Sequence, residues 1–437
     1  MAAVVSGSGL TRRLCDHRTW RAAADLFAIL TAAALPWSTS LTAVFITLMI
    51  LCMVPFAEFR AFFQSLTRPI SALPIALVLL ALVGTLWSQA PWAERLHGIN
   101  PTAKLLVLPF LFHHFERSTR SAWIFTAFLV SCALLSLMSW LVLFAPNLSL
   151  KAPPHDPGIF IKDYINQSQE FTLCAVALAL PLLRLLRERR FRLAALLIAV
   201  ALSFLVNMAF VVVSRTALVT MPIMLAAFAL RYLNWRSILL IFASLAALSV
   251  AAWETSPLLH SRVDSFSSQY RGYVEKGAST SIGLRLEFWR KSLGFFEQSP
   301  LAGHGTGSVR SLFRQAATGS TEQTSSDITD NPHNQTLNVA VQWGTIGIIL
   351  LYAMWIVHLL FFRSDGLADW IGFLVVVQNL LTSLFNSHLF DFHEGWMYVL
   401  GVGVAGGMAI RAQRARLTAG GAGLDRSAPQ ENSGNHP

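Results

Sequence analysis

Asp327-Ile-Thr-Asp-Asn-Pro-His333-Asn-Gln-Thr-Leu-Asn338 closes the only long polar segment of the chain, and a long apolar run begins directly after it. A transmembrane helix needs about 20 apolar residues, and the run from 336 to 361 is long enough. The junction therefore predicts that His333 lies where water meets lipid, at the mouth of a membrane-spanning helix. Most of the chain outside the polar segment is as apolar as this run.

The composition is typical of a membrane protein. Of 437 residues, 54% are hydrophobic and 13% are charged, whereas average soluble proteins carry about 25% charged residues. The mean hydropathy is +0.54. The net charge of +10 comes from an excess of arginine, which favours the cytoplasmic face of a membrane rather than nucleic acid.

Cysteine usage points to no disulfide framework and no zinc site. Cys15 lies in the N-terminal tail and Cys52, Cys132 and Cys174 lie in apolar runs. None has a metal-binding spacing to another cysteine or a histidine. The basic N-terminus followed by an apolar run is also compatible with a signal peptide. We favour an uncleaved first span because many further spans follow it.

The apolar runs predict an all-α polytopic integral membrane protein with about twelve transmembrane helices. The predicted spans are 22–37, 39–57, 72–88, 102–114, 121–145, 167–183, 193–210, 214–230, 237–253, 336–361, 368–387 and 395–410. Residues 1–253 then hold helices 1–9 and residues 336–411 hold helices 10–12. A large periplasmic loop with amphipathic helices occupies 254–335, and the Gly/Ala/Ser/Pro-rich segment 412–437 is predicted to be a disordered cytoplasmic tail.

The positions of the basic residues orient these spans. With a cytoplasmic N-terminus, arginines fill the cytoplasmic connectors throughout the alternation. The densest group is Arg184, Arg187, Arg189, Arg190 and Arg192. Because positive charge in short connectors marks the cytoplasmic side, both termini are predicted to be cytoplasmic and the loop 254–335 periplasmic.

Two arginines stand among apolar residues without a carboxylate at helical spacing, and each is a candidate anion ligand. Arg215 lies inside or at the edge of an apolar run, and the alternative is a snorkelling side chain at a short turn between two spans. Arg285 lies in a segment predicted to form an amphipathic helix along the membrane or the outer face of the protein. The apolar residues that define this helix are Leu286, Trp289, Leu293 and Phe296. Arg290 has Glu287 three residues before it, so an ion pair is its simpler interpretation.

His333 is the candidate general base, because a neutral imidazole accepts a proton from a hydroxyl near neutral pH. An incidental loop histidine is the alternative. The neighbouring Asn334 is a candidate helix cap, together with Asn331 and Thr336.

The connector 386–394 contains two histidines and two acids. Asp391 is a candidate to orient a catalytic histidine. A metal site is conceivable there, although helix capping and a solvated loop are simpler interpretations. The run Pro300-Leu-Ala-Gly-His-Gly-Thr-Gly307 lacks the Lys-Ser/Thr of a nucleotide-binding loop and predicts a tight turn.

In their order and spacing, these motifs resemble the bacterial O-antigen ligase family, whose superfamily also contains O-antigen polymerases and some protein O-oligosaccharyltransferases. The resemblance extends to the layout of about a dozen spans with one large loop before the late helices. Its local motifs are Ser214-Arg215, Arg285-x-x-x-Trp289, the glycine run 300–307, His333-Asn334, and the later Gln342, Gly344 and Gly347.

The resemblance implies a metal-independent inverting glycosyl transfer on the periplasmic face of the inner membrane, without a nucleotide or cofactor. The implied donor is O-antigen polysaccharide on undecaprenyl pyrophosphate, and the implied acceptor is a sugar hydroxyl of lipid A–core oligosaccharide. Arg215 and Arg285 are then the pyrophosphate ligands and His333 the base. Arg290 is a further candidate ligand, and Asn334 and Asp391 are candidate supporting residues.

Two other functions remain open. A polymerase or a protein-glycosylating enzyme of the same superfamily would use the same residues on a different acceptor. A transporter of lipid-linked saccharides is less favoured, because transporters tend to show charged residues within spans and inverted repeats. Here the candidate residues cluster at one membrane face, and the sequence shows no evident repeat.

Overall fold

The computed structural model describes residues 17–56, 58–152, 156–276, 280–318 and 327–425, and these residues form helices and connecting turns without a β-strand. The α-helices in chain order are α1 (His17–Ala34), α2 (Thr39–Met53), α3 (Phe59–Leu66), α4 (Pro69–Val83), α5 (Trp92–Ala103), α6 (Val107–Phe115), α7 (Ala122–Phe144), α8 (Tyr164–Ala177), α9 (Ala179–Arg187), α10 (Phe191–Phe210), α11 (Arg215–Tyr232), α12 (Trp235–Thr255), α13 (Pro257–Lys276), α14 (Ser281–Gln298), α15 (Ser308–Ala317), α16 (Gln335–Phe361), α17 (Leu367–Thr382) and α18 (Phe392–Asp425). The predicted all-α architecture is therefore confirmed.

Each predicted span coincides with a helix or with two consecutive helices. Among the described residues, six helical segments are long and apolar enough to cross a membrane: Thr39–Phe56, Ala122–Phe144, Tyr164–Arg187, Phe191–Phe210, Trp235–Thr255 and Gln335–Phe361. The helices α3 and α4 pass the same test as a pair bent by 78°, which raises the number to seven. These segments are consistent with a polytopic membrane protein, and the total of twelve transmembrane helices remains a prediction.

Some predicted spans are too short or too polar to meet that test by themselves. The nine-residue α6 is buried in the protein except at Phe110. It packs against the glycine-rich start of α18, where a Cβ on Gly403 or Gly406 would overlap Leu111 or Phe112. Small residues let two helices approach closely. Protein neighbours therefore surround α6 along its length.

The glycine run 300–307 forms the predicted turn after α14, and this turn fills a break in α16. The break lies at Gly344, with φ 60° and ψ −153°. Two backbone N–H groups of the turn donate to the freed carbonyl oxygens of Val341 and Gln342, at 2.9 and 2.8 Å. The turn glycines with positive φ are Gly303, Gly305 and Gly307. A Cβ at each would press on backbone atoms, so the motif has a clear structural purpose.

The C-terminal segment differs from its prediction. The last span was predicted to end at 410 and the disordered tail to begin at 412, but α18 continues to Asp425. The predicted tail beyond it, 426–437, lies outside the described residues, as do Cys15 and the first basic residues. Of the described cysteines, Cys52, Cys132 and Cys174 are free and buried.

Candidate active site

His333 lies in the turn before α16 with an unusual backbone conformation. Its φ is 55°, in the left-handed region that costs a non-glycine residue roughly 1–3 kcal/mol. Its backbone N–H donates to Asn331 Oδ1 at 2.9 Å. The side chain of Asn334 accepts from the Leu337 N–H at 3.1 Å, so Asn334 is the N-cap among the three candidates. These bonds hold His333 in place.

The imidazole of His333 is half-buried and has one clear polar partner. Its Nδ1 lies 2.8 Å from Asn386 Oδ1, and its ring stacks at 6.2 Å and 22° on Phe288. Burial lowers the pKa of His333 below its ordinary 6.5, and the positive charge of Arg285 lowers it further. The hydrogen bond between the imidazole and Asn386 Oδ1 opposes this shift. The net direction keeps the imidazole neutral at pH 7, as a general base requires.

Asn386 connects His333 to Asp391. The Asn331 Nδ2 donates to Asn386 Oδ1 at 2.9 Å, and the Asn386 Nδ2 donates to Asp391 Oδ2 at 2.6 Å. Burial, followed by the charge of Glu394, raises the pKa of Asp391 to about 6. Asp391, a candidate from the sequence to orient a catalytic histidine, therefore reaches the imidazole through the amide of Asn386.

A chain of side-chain hydrogen bonds ties this network to the glycine turn. Ser387 Oγ donates to Asn331 Oδ1 at 2.8 Å, and Asn338 Nδ2 donates to Ser387 Oγ at 3.1 Å. Gln342 Nε2 donates to Asn338 Oδ1 at 2.6 Å, while Gln342 Oε1 accepts from the Gly307 N–H at 2.8 Å. The turn, the kinked helix and the His333 loop are thus one connected polar unit.

Arg215 is the first residue of α11 and is half-buried. The residues before it, 211–214, are buried. The N-terminus of a helix carries a partial positive charge, so an arginine there is electrostatically unfavourable unless an anion is present. Arg215 thus lies at the edge of an apolar helix, directly after the short turn 211–214.

Arg285 lies in the second turn of α14, one turn before Phe288. Phe288 and Phe295 pack with Phe313 and Val341, which fixes α14 against α15 and α16. This packed face differs from the predicted apolar stripe, whose Leu293 is 50% exposed. The predicted stripe consisted of Leu286, Trp289, Leu293 and Phe296 and included neither Phe288 nor Phe295.

Arg285 is close enough to Arg215 and to His333 for its charge to interact with both. Burial lowers the pKa of Arg285, and the positive charge of Arg215 lowers it further. Arg285 in turn lowers the pKa of His333. Within the described ranges, neither arginine has a hydrogen bond or ion pair with a protein group. Two cations that repel each other beside a neutral imidazole form a region suited to an anion.

The charge of Arg290 is balanced by a neighbouring carboxylate, unlike the charges of Arg215 and Arg285. Its guanidinium donates two hydrogen bonds to Glu287, at 2.9 and 2.7 Å. Its side chain is 70% exposed. The ion pair suggested by the sequence is therefore present, and the structure gives no support to Arg290 as a pyrophosphate ligand.

The connector 386–394 brings three potential metal ligands together. Single ligand atoms of His388, Asp391 and Glu394 lie within 4.8 Å of one another. However, the charge of Lys104 acts on Asp391, and its Nζ donates to the backbone oxygen of Phe390 at 2.9 Å. A lysine already supplies a cation for these carboxylates, so the arrangement fits an internal ion cluster better than a metal site.

One cavity borders the site, and a second lies elsewhere among the helices. A polar cavity of about 490 Å³ borders the asparagine network and is lined by Glu94, His97, Arg310, Asp330, Asn331 and Asp391, among others. An apolar cavity of about 220 Å³ lies between α1, α7, α8, α9, α17 and α18, and its lining includes Phe125, Leu173 and Met397. The first is suited to a hydroxyl-rich ligand and the second to a hydrocarbon chain.

Comparison with known families identifies the domain that holds these residues. Residues 200–352 match the family model for O-antigen ligase (Wzy_C). This segment of the chain is therefore similar to the O-antigen ligase superfamily. The matched segment contains Arg215, Arg285 and His333, and the family model suggests a glycosyltransferase-like enzyme of glycan processing. No curated protein matches the chain.

Two residues outside the matched segment extend the network around His333, and of these only Asp391 was a candidate from the sequence. Asn386 and Asp391 follow the segment and reach His333 only through the fold. Asn386 lies in a short polar connector, and this position was the only signal in the sequence that pointed to it.

Proposed function

We propose that this protein is an O-antigen ligase of the bacterial inner membrane. It transfers O-antigen polysaccharide from undecaprenyl pyrophosphate to a sugar hydroxyl of lipid A–core oligosaccharide on the periplasmic face. One observation carries the proposal: a neutral histidine shares its surroundings with two arginines that have no partner in the described protein, inside the segment matching the family.

The arginines bind the pyrophosphate of the donor. Guanidinium groups form bidentate, charge-assisted hydrogen bonds with phosphate oxygens. Negative charge on the pyrophosphate grows as the glycosidic bond breaks, so cations fixed beforehand stabilise the transition state more than the ground state. The mutual repulsion of Arg215 and Arg285 is relieved when the diphosphate is present.

His333 activates the acceptor. The imidazole removes the proton of the acceptor hydroxyl, and the oxygen attacks the anomeric carbon from the side opposite the pyrophosphate. The bond from that carbon to the phosphate oxygen breaks, and undecaprenyl pyrophosphate leaves with the electron pair. One displacement of this kind inverts the anomeric configuration. The polar cavity is the proposed approach for the acceptor glycan.

A cellular experiment tests the proposal. In a ligase-deficient strain that makes the lipid-linked O-antigen, the wild-type gene should restore a smooth lipopolysaccharide ladder. His333→Ala and Arg285→Ala should remain inserted and folded yet give rough lipopolysaccharide. A smooth ladder from either variant would contradict the assigned chemistry.

A reconstituted assay identifies the acceptor. Purified protein and lipid-linked O-antigen are mixed separately with lipid A–core, a second lipid-linked repeat unit and a peptide. The ligase proposal predicts transfer to lipid A–core without nucleotide or ion gradient. Transfer only to the second repeat unit or only to the peptide would instead identify a polymerase or a protein-glycosylating enzyme.

A further inference from the structure

We propose that Asn386 is a positioning residue that fixes the tautomer of His333, with Asn331 and Asp391 fixing the orientation of the Asn386 amide. The imidazole then carries its proton on Nδ1 and presents Nε2 as the proton acceptor. The inference rests on the proposed function only where it predicts rates, because the tautomer itself exists without substrate.

The first argument starts from the carboxylate. An ionised carboxylate only accepts hydrogen bonds. The Asn386 amide atom that lies 2.6 Å from Asp391 Oδ2 must therefore be the NH₂ group. The other amide atom, 2.8 Å from His333 Nδ1, is then the carbonyl oxygen. A carbonyl oxygen accepts, so Nδ1 must carry the proton.

The second argument starts from the backbone and is independent of the first. The N–H of His333 is always a donor, so the Asn331 atom at 2.9 Å is its side-chain oxygen. The NH₂ group of Asn331 is then the atom that lies 2.9 Å from Asn386. Because an NH₂ group donates, the Asn386 atom that it contacts must be the carbonyl oxygen, which is also the atom that faces His333 Nδ1. Two separate chains of donors and acceptors therefore give the same amide orientation.

An amide between the acid and the base also has an electrostatic consequence. A carboxylate beside an imidazole stabilises the imidazolium and raises its pKa. At this position Asn386 supplies the same acceptor without the charge. The charged or titratable groups that act on His333 are Arg285 from α14, His388 from the connector and Asp330 from its own loop. The imidazole thus keeps its fixed tautomer and its low pKa together.

The decisive experiment reads the tautomer directly. Full-length protein with ¹⁵N-labelled histidine is reconstituted in nanodiscs, and the His333 signals are assigned by their loss in His333→Gln. The wild type should show a protonated Nδ1 and an unprotonated Nε2 at pH 8. Asn386→Leu should show a mixture of tautomers. A protonated Nε2 in the wild type, or an unchanged tautomer in Asn386→Leu, would overturn the inference.

Kinetics with a charge-swapped variant adds a readout that a merely structural role would not move. Asn386→Leu should lower kcat by about 10–100-fold with little change in the KM for the donor. The double variant Asn386→Asp/Asp391→Asn keeps the net charge and the donor–acceptor pattern. It should recover kcat to within about tenfold of wild type, and the acid limb of its pH profile should move to higher pH. Recovery without the pH shift, or no recovery in a folded protein, would contradict the inference.

A matched control separates loss of a buried amide from loss of positioning. Asn379 is buried and accepts from Trp355 Nε1 at 3.2 Å, away from His333. Asn379→Ala should lower thermal stability but leave the His333 tautomer and the pH profile unchanged. If wild-type protein transfers glycan to no acceptor, the proposed function fails, and the nitrogen spectra still decide the tautomer.

Discussion

The residues on the two sides of His333 differ in how many of their hydrogen-bond and charge partners the protein itself supplies. On one side, Asn331, Asn386 and Asp391 form a closed network in which the donors and acceptors match. On the other side, the positive charge of Arg215 lowers the pKa of Arg285, and neither arginine has a hydrogen bond or ion pair among the described residues. One side is complete in the free protein, whereas the other becomes complete when an anion binds.

This difference separates two tasks. A general base must be oriented before the acceptor arrives, so its hydrogen bonds are made within the protein. A diphosphate-binding site must be empty before the donor arrives. The arginines of such a site are therefore left without protein partners, at a cost in stability. Preorganised groups aimed at developing charge are a major source of catalysis. The following variants test whether the two sides are separate in this way.

The largest effect is expected on the complete side. His333→Ala removes the base and should lower kcat by about 10²–10⁴-fold, with little change in donor affinity. Transfer to lipid A–core by purified protein measures it. His260→Ala, a change at a half-buried histidine of α13, is the matched control and should keep full activity. Near-normal turnover by His333→Ala would show that another group is the base.

The next effect is expected on the open side. Arg285→Ala and Arg215→Ala should each lower kcat/KM by about 10²–10³-fold, the size seen for lost transition-state donors. Each lysine replacement should recover part of the loss, because lysine keeps the charge and loses the bidentate fork. A scan of thermal unfolding without donor should show that neither alanine variant is less stable than wild type. Lower stability with normal activity would mean that these arginines are structural.

A smaller effect links the two sides through charge. The general base works as neutral imidazole, so activity should fall as pH drops through the pKa of His333. Arg285 lowers this pKa, and therefore Arg285→Gln should move the acid limb of log kcat to higher pH. Values of kcat measured for the variant and the wild type between pH 5 and 8 give the shift of this acid limb. An unchanged acid limb would show that the charge of Arg285 does not affect the pKa of His333.

The smallest effect is expected at Arg290. Its partner Glu287 is beside it on the same helix, and the arginine is largely exposed. Exposed pairs contribute at most about 1 kcal/mol. Arg290→Ala should keep kcat/KM within about twofold of wild type, measured in the same transfer assay. A loss as large as that of Arg285→Ala would show that Arg290 acts together with Arg215 and Arg285 in binding the donor.

The sequence predicted the helices well because apolar runs are a local signal. Each predicted span fell on a helix, and the glycine run gave the expected turn. The count of spans that cross the membrane is less secure, because α6 shows that a short apolar helix can be buried in protein instead. The end of α18 was missed because glycine and alanine composition resembles that of disordered segments.

The candidate site was only partly accessible to sequence reasoning. Arg215 and Arg285 were found because an arginine without a nearby carboxylate is locally anomalous. Asn386 was not found, because a polar residue in a connector is ordinary and its contact with His333 spans 53 positions. Donor–acceptor matching depends on tertiary geometry, which no local pattern in one sequence contains.

The most direct test is binding of undecaprenyl pyrophosphate to purified protein in nanodiscs, measured by the rise in unfolding temperature with lipid concentration. The account predicts that Arg215→Ala and Arg285→Ala weaken binding at least about tenfold, while His333→Ala binds as tightly as wild type and does not transfer glycan. Wild-type affinity in both arginine variants, or loss of affinity in His333→Ala alone, would contradict it.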